Sequence, residues 1–187
     1  IILAGGKSSR MGRNKAFLEW ESKPLIERTL DIFTSVFSEV LISANNPELY
    51  SQYDVKMVPD NYLEMGPMGG LEACLKVAKY DYSFFAACDM PFLDGEVIRF
   101  MATFLNKEKI LAPKIQDKIH PLHSFYHRDC QRELDAHLKE GHLKMTEFLK
   151  RNNTKYLTEL ELGKFPKIQQ TLTNMNTPED FSRLKSL

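Results

Sequence analysis

Short apolar runs that end abruptly in polar turns alternate along this chain with segments of helical spacing. The runs are Ile1 to Leu3, Val40 to Ala44, which only Ser43 interrupts, and Ser83 to Cys88; Val55 to Val58 is a shorter predicted strand that contains Lys56. Continuous apolar runs of this length are typical of strands that are covered on both faces of a parallel sheet. Between the runs, apolar residues recur at helical intervals, as they do after Pro24. The order strand, loop, helix therefore predicts an α/β fold with three layers and a mostly parallel sheet.

The second half of the chain has a less regular pattern, which predicts a small α+β extension on one edge of the sheet. The whole chain has 187 residues and shows no linker or internal repeat, so we expect residues 1–187 to form a single domain. The predicted strands here are Ile110 to Ile115, Ile119 to Tyr126, Lys155–Leu157 and Ile168–Leu172. Six helices are predicted along the chain. The first starts at Pro24, the second runs from Gly66 to Ala78, the third runs from a cap at Asp94 to Phe104, and the fourth runs from Asp129 to a stop at Gly141. The fifth contains Met145, Phe148 and Leu149, and the sixth starts at a Thr177 cap.

Composition narrows the class of protein. Lys plus Arg and Asp plus Glu both number 25, so the formal net charge is zero, and a nucleic-acid partner is disfavoured. The three cysteines, Cys74, Cys88 and Cys130, contain no C-x-x-C pair, which fits a reducing compartment rather than a disulfide framework. No run approaches the roughly 18 apolar residues of a membrane span, and no signal peptide is visible. We therefore expect a cytoplasmic protein without a membrane partner.

A basic segment rich in glycine follows the first apolar run. Leu3 to Lys15 reads L-A-G-G-K-S-S-R-M-G-R-N-K. Glycines allow backbone N–H groups to approach an anion, and the cations neutralise its charge. The spacing matches neither the P-loop nor the dinucleotide fingerprint. Because the segment follows a strand directly, we favour a polyphosphate site over an ordinary surface turn. Arg10, Arg13 and Lys15 are the candidate partners of a leaving pyrophosphate, although Arg13 can equally belong to a solvated face.

Polar residues also stand where the other predicted strands end. The carboxyl ends of parallel strands meet at one edge, so these residues should gather there. Asp89 is the candidate Mg²⁺ ligand, because Mg²⁺ takes one or two carboxylates together with waters and substrate phosphates. Asn45 and Asp60 can contact a nucleoside or simply form turns, and Asn174 and Asn176 can line the site or form turns before the Thr177 cap.

The histidines allow two interpretations. His120, His123 and His127 would align as metal ligands on a helix, but Pro121 and the alternating strand pattern oppose a helix there. A zinc site is therefore disfavoured, and His120 is predicted to be a substrate-binding or structural residue beside the crevice. Cys88 is predicted to be a buried strand residue rather than a nucleophile.

Four motifs occur in order along almost the whole chain: L-A-G-G-x-S-x-R-M-G-x-x-K at 3–15, G-P-M-G-G-L at 66–71, C-D-M-P-F at 88–92 and N-x-N-T-P-E-D at 174–180. Together they resemble the molybdenum cofactor guanylyltransferase (MobA) family of nucleotidyltransferases, which has a Rossmann-like nucleotide-diphosphosugar transferase fold. The first motif alone is similar to those of sugar-nucleotide pyrophosphorylases and cytidylyltransferases. The last motif, with Gly-Gly at 5 and 6, narrows the resemblance.

The resemblance implies roles for single residues. Those on the guanine nucleotide would be Leu3, Ala4, Gly5, Gly6, Lys15, Asn45, Asp60 and Asp89. Arg10, Lys15 and Asp89 would be catalytic, with Asp89 holding Mg²⁺. His120, Asn174 and Asn176 would lie on the pterin side.

The reaction implied is transfer of GMP from GTP to molybdenum-bound molybdopterin, which forms the guanine dinucleotide cofactor and releases pyrophosphate. The partners implied are these two substrates and proteins of molybdopterin synthesis or molybdoenzymes. Two alternatives stay open: a related nucleotidyltransferase that uses CTP or a sugar phosphate, and a GTP-binding adaptor that hands on the cofactor without catalysis. Intact Asp89 and Lys15 argue against the adaptor.

Overall fold

A computed structural model of the chain describes residues 1–4, 14–175 and 177–185. The predicted alternation of strands and helices is confirmed. The strands are β1 (Ile2–Leu3), β2 (Glu19–Trp20), β3 (Lys23–Pro24), β4 (Leu41–Ser43), β5 (Lys56–Val58), β6 (Tyr82–Ala87), β7 (Ile110–Ile115), β8 (Lys118–Ile119), β9 (His123–His127) and β10 (Thr154–Leu157). The α-helices are α1 (Leu25–Val36), α2 (Gly66–Val77), α3 (Gly95–Ala102), α4 (Gln131–Lys139), α5 (Met145–Arg151), α6 (Glu159–Leu162), α7 (Ile168–Thr171) and α8 (Pro178–Lys185), and 3₁₀ helices span Lys15–Phe17, Pro47–Tyr50 and Arg128–Cys130.

The main sheet has the strand order β10-β7-β9-β6-β1-β4-β5, and β8 pairs with β7. β6, β1, β4 and β5 are parallel, and β10 is parallel to β7. β9 is antiparallel to both β6 and β7, so it is the reversed strand between two parallel groups. The mostly parallel sheet is thus confirmed, and the predicted extension continues the same sheet on the β6 side.

Helices cover both faces of the sheet and give it two separate apolar layers. α1 and α3 pack on one face, where Ile2, Ile42 and Phe84 point. α2, α4 and α5 pack on the other face, where Leu41 and Phe85 point. This alternation along β4 and β6 follows from the two-residue period of a strand, and it explains why both runs read as continuously apolar.

Gly70 allows α2 to lie against the carboxyl ends of β1 and β4. A Cβ atom at this position would stand 2.2 Å from Ser43 Oγ and 3.1 Å from Leu3 Cδ1. Only a residue without a side chain permits so close an approach of helix to strand. The G-P-M-G-G-L motif therefore sets the distance between α2 and the strand ends.

The capping predictions are confirmed for two helices. The Asp94 side chain accepts a hydrogen bond from Glu96 N at the start of α3, and Thr177 Oγ1 accepts one from Asp180 N at 3.1 Å. Gly141, just past α4, has a φ of +73°, as expected for a glycine that ends a helix. Pro24, however, is the residue before α1 rather than its first residue, because Lys23 and Pro24 form the short strand β3.

Two strand predictions in the second half need correction. The expected strand at Ile168–Leu172 is wrong, because this segment contains the helix α7. Ile168 and Leu172 are both buried, and their four-residue spacing puts them on one face of a helical turn. The expected strand over Ile119 to Tyr126 is divided into β8 and β9, because Pro121 has no N–H for a sheet ladder.

Cys74, Cys88 and Cys130 are buried free thiols, as expected for Cys88. Burial raises the pKa of the Cys88 thiol, and neighbouring Asp89 raises it further, which opposes a nucleophilic role. Among the residues that the structure describes, no helix combines the length and apolar character needed to cross a bilayer.

Candidate active site

The carboxyl ends of four parallel strands form one continuous edge. Backbone hydrogen bonds join them there, from Cys88 N to Leu3 O at 3.0 Å, from Ala4 N to Ser43 O at 3.0 Å and from Ala44 N to Val58 O at 3.2 Å. Because the order is β6-β1-β4-β5, a residue after β6 and a residue after β5 are separated by three strand intervals, about 14 Å. The edge is therefore long enough for an elongated ligand.

Asp89, which follows β6, is the centre of a polar cluster at one end of this edge. Lys15 Nζ donates to Asp89 Oδ2 at 3.0 Å and to the backbone oxygen of Met175 at 2.8 Å. Asn174 Nδ2 donates to Asp89 Oδ1 at 3.1 Å, and Met175 N donates to the Asp89 backbone oxygen at 2.9 Å. The structure thus brings Asp89 together with Lys15 and Asn174, residues that are far apart in the sequence.

The Lys15–Asp89 ion pair is partly buried but remains accessible from solvent. The side chains are 20% and 13% exposed, so water screens the pair less than it would a surface ion pair. A ligand that arrives at the edge can still reach both charged groups. A partly buried lysine and a partly buried carboxylate can bind a phosphate and a metal ion, respectively.

Local structure explains why Lys15 is in this place. Asn14 caps the 3₁₀ helix Lys15–Phe17, because its side-chain oxygen accepts a hydrogen bond from Ala16 N at 3.0 Å. Ala16 is completely buried and fixes this turn against the core. Lys15 therefore projects from a short but anchored helix.

Asn45 and Asp60 occupy the other end of the edge and pair with each other. Asn45 Nδ2 donates to Asp60 Oδ2 at 3.0 Å, and Asp60 N donates to Asn45 Oδ1 at 2.8 Å. Ser43 Oγ lies 3.4 Å from Asp60 Oδ1. Burial raises the pKa of Asp60, while the hydrogen bonds from Asn45 and Ser43 act against that rise.

A cavity of about 760 Å³ opens beside this pair. Leu3, Ala4, Asn45 and Asp60 line it, as do Tyr50 and Leu63, which the sequence analysis did not single out. Leu49 and Leu63 are 42% and 66% exposed at its wall, so the cavity offers apolar surface as well as hydrogen-bonding groups. This combination suits a nucleoside, which has flat apolar faces and polar edges.

His120 lies outside both groups of residues, in the turn between β8 and β9. Its backbone N–H donates to Pro113 O at 3.0 Å, and burial followed by the charge of Lys118 lowers its pKa to about 4. A hydrogen bond to the backbone of Leu172 partly opposes this shift and connects His120 to the segment that leads to Asn174. His120 is therefore a neutral group near physiological pH.

Four of the predicted site residues, Gly5, Gly6, Arg10 and Asn176, lie outside the described residues. Three groups at the site were not predicted from the sequence: the Tyr50 hydroxyl, the Ser43 hydroxyl and the Met175 carbonyl. The Met175 group is a backbone atom, which no side-chain pattern can indicate. Tyr50 and Ser43 occur within segments that read as an ordinary turn and an ordinary strand.

An α/β sheet whose parallel strand ends carry a lysine–aspartate pair and a nucleoside-sized cavity has the features of a nucleotide-binding enzyme. The comparisons with known proteins narrow this class. The family model described as the MobA-like NTP transferase domain matches residues 1–155, and the chain belongs to this family.

Relatives with similar sequences match this chain over nearly its full length. A molybdenum cofactor guanylyltransferase of Syntrophotalea carbinolica is 35% identical over 185 residues, which cover 98% of this chain and 88% of the relative. A probable molybdenum cofactor guanylyltransferase of Clostridium perfringens is 34% identical, with 98% and 93% coverage. Among solved structures, molybdopterin-guanine dinucleotide biosynthesis protein A of Archaeoglobus fulgidus superposes with a TM-score of 0.86 at 28% identity, with 99% and 95% coverage.

Proposed function

We propose that this chain transfers GMP from GTP to molybdenum-bound molybdopterin, and that residues 1–187 act as one nucleotidyltransferase domain. The observation that carries the proposal is the contact of Lys15 Nζ with Asp89 Oδ2 at 3.0 Å, at the carboxyl end of the buried strand β6. The named relatives support the choice of substrates, since they are molybdenum cofactor guanylyltransferases.

The two ends of the site suggest how GTP would lie. The base and ribose would occupy the cavity beside Asn45 and Asp60, and the phosphates would extend along the strand ends towards Lys15 and Asp89. The distance of about 14 Å between the residues after β5 and β6 suits an extended nucleoside triphosphate. Leu3 and Ala4 lie between these ends and would contact the nucleotide. Because Leu3 O, Ala4 N and Ala4 O are already bonded to Cys88 N, Ser43 O and Tyr50 Oη, their carbonyl oxygens would act through their second lone pairs.

The donor set at Asp89 fits Mg²⁺ better than zinc. Within residues 1–4, 14–175 and 177–185, no group of three or more His, Cys, Asp or Glu side chains could hold a metal ion. A single carboxylate at the site edge fits an ion that completes its octahedral shell with waters and substrate phosphates. Mg²⁺ bound there would neutralise charge on the phosphates of GTP.

The chemistry requires positioning rather than a strong base. An anionic oxygen of the pterin phosphate forms a new bond to the α-phosphorus of GTP, and the bond from that phosphorus to pyrophosphate breaks. The electron pair of the broken bond leaves with pyrophosphate. Lys15 would balance the charge that accumulates on the departing group, and Asn174 would keep Asp89 oriented.

The acceptor would approach from the side of His120 and Asn174. Asn174 is bonded directly to Asp89, and His120 is linked through Leu172 to the same segment. A neutral imidazole adds no charge, and because its one N–H serves the Leu172 backbone, its other ring nitrogen would accept a hydrogen bond from a polar heterocycle such as a pterin. Protein partners would be those that deliver molybdopterin or receive the dinucleotide.

A panel of nucleotides and acceptors tests the proposal. Purified protein would be incubated with Mg²⁺ and GTP, ATP, CTP or UTP, each with molybdenum-bound molybdopterin or a sugar 1-phosphate, and pyrophosphate release would be measured. Turnover only with GTP and the molybdenum pterin supports the proposal. Turnover with CTP or a sugar phosphate would identify the related nucleotidyltransferase instead, and GTP binding without turnover would identify the adaptor.

A further inference from the structure

Tyr50 is buried beneath the proposed nucleotide cavity, and its hydroxyl connects two segments of the site. The side chain is 1% exposed and lines the cavity together with Ala4 and Asn14. Tyr50 Oη donates a hydrogen bond to the backbone oxygen of Ala4 at 2.9 Å. The same oxygen accepts one from Asn14 Nδ2 at 3.1 Å. One hydroxyl therefore joins the end of β1 to the cap of the helix that carries Lys15.

Asn14 makes a second bond that carries this connection to Lys15. Its side-chain oxygen accepts from Ala16 N at 3.0 Å, while its side-chain nitrogen donates to Tyr50. The amide of Asn14 is thereby fixed at both ends, and it sets the start of the 3₁₀ helix Lys15–Phe17. Phe17, the last residue of that helix, stacks on the Tyr50 ring with centroids 5.3 Å apart. Tyr50 thus holds the short helix at its cap and at its end.

We infer that Tyr50 is a positioning residue of this enzyme, which acts by holding Lys15 against Asp89 and the phosphates of the nucleotide. The inference rests on the proposed function and adds a residue to which that function assigns no role. The ammonium group of Lys15 stands at the end of a long side chain, so a small rotation of its helix moves the charge by a large fraction of a hydrogen-bond length. Charge stabilisation of a leaving group depends on such placement.

The Tyr50 hydroxyl stays protonated at every pH at which an activity assay would be run. Burial raises the pKa of Tyr50 to about 12, although the hydrogen bond from Asn14 acts in the opposite direction. Tyr50 therefore donates to Ala4 and accepts from Asn14 at every pH at which the enzyme would be studied. Loss of the hydroxyl should accordingly reduce activity by the same factor at pH 6.5 and at pH 8.5.

The test compares Tyr50→Phe with a matched variant, Tyr53→Phe. Tyr53 lies on the same segment, and its hydroxyl donates to Glu27 Oε1 at 3.1 Å, away from the cavity. We expect Tyr50→Phe to lower kcat/KM for GTP about tenfold, and Tyr53→Phe to stay within about twofold of wild type. Circular dichroism and thermal unfolding would show that both variants are folded.

A double variant separates positioning from a merely structural role. If Tyr50 acts through Lys15, Tyr50→Phe should change kcat/KM less than about twofold in a Lys15→Ala background. An equal loss in both backgrounds would overturn the inference, as would an unchanged Tyr50→Phe enzyme.

Asn14→Ser gives a second route if Tyr50→Phe fails to fold. Serine keeps a capping oxygen for Ala16 N but cannot donate to Tyr50 across the same distance. It should therefore reproduce the tenfold loss, and wild-type activity in this variant would overturn the inference. Absence of GTP-dependent turnover in the wild-type enzyme would instead overturn the proposed function itself.

Discussion

Asp89 is the residue on which the proposed chemistry depends most, because both of its carboxylate oxygens are engaged at the site. One oxygen receives Lys15 and the other receives Asn174. The contact with Lys15 crosses 74 positions of sequence, and the contact with Asn174 crosses 85. A carboxylate with these partners holds the strand ends and the C-terminal segment in one arrangement before any substrate arrives.

Substitution of this carboxylate should remove activity while the fold survives. We expect Asp89→Asn to lower kcat at least about 100-fold, because the amide cannot hold Mg²⁺ or pair with Lys15 in the same way. Asp81→Asn is the matched control, since Asp81 precedes β6 at its opposite end and forms an exposed pair with Arg128. Steady-state assays over a range of Mg²⁺ concentrations would check this. Undiminished Mg²⁺-dependent turnover in Asp89→Asn would remove Asp89 from the proposed centre.

At the scale of elements, most of the first half of the fold could be predicted and part of the second half could not. β4, β6, α2 and α3 were predictable because a buried strand reads as a continuous apolar run and a cap such as Asp94 is a local signal. α7 was not, because Ile168–Leu172 has apolar residues only at its two ends, a pattern that fits either a turn of helix or a short strand. The pairing of β9 with β6 and β7 depends on contacts distant in sequence, which local patterns do not record.

The residues of the candidate site, likewise, could be predicted from the sequence only in part. Asp89, Lys15 and Asn174 could be predicted because they follow strand-like runs or belong to recognisable motifs. Tyr50 could not, because its role comes from two hydrogen bonds to residues that are distant in the chain.

The close contact between α2 and the strand ends predicts that a side chain at Gly70 would destabilise the fold. Gly70→Ala would place a Cβ atom 2.2 Å from Ser43 Oγ, so we expect a loss of about 1–3 kcal/mol in the free energy of unfolding. Removal of the crowded hydroxyl should recover part of this, so Gly70→Ala with Ser43→Ala should be more stable than the sum of the single effects implies. Urea unfolding of the four proteins would measure this coupling. Strict additivity would show that Ser43 does not limit the approach of α2.

At the scale of the whole molecule, β9 carries a feature that should make stability depend on pH. His123 is completely buried in the middle of the sheet, and neither ring nitrogen has a hydrogen-bond partner among the described residues. Its ring lies edge-on to Phe84 with centroids 4.9 Å apart. Burial, with a smaller contribution from His120, lowers its pKa from 6.5 to about 3. The unfolded chain therefore binds a proton between these pH values that the folded chain does not.

The sign of the effect follows from proton linkage. Stability is undiminished above pH 6.5 and falls as the pH decreases towards 3, because protonation favours the unfolded state. At pH 5 this one group should cost about 2 kcal/mol relative to pH 7.5. We expect His123→Leu to remove that difference, whereas the exposed His142→Gln should keep it. Urea unfolding at the two pH values would decide, and an unchanged slope in His123→Leu would contradict the assignment.

The reversed direction of β9 has a consequence for how this kind of enzyme can diversify. Residues that follow β1, β4 and β5 line the proposed nucleotide cavity, whereas the chain that enters β9 borders the proposed acceptor side. The proposed donor and acceptor sides are therefore formed by separate stretches of sequence. Insertions or replacements in the chain that enters β9 can alter which acceptor binds without changing the residues that line the nucleotide cavity, so one scaffold can be adapted to new acceptors.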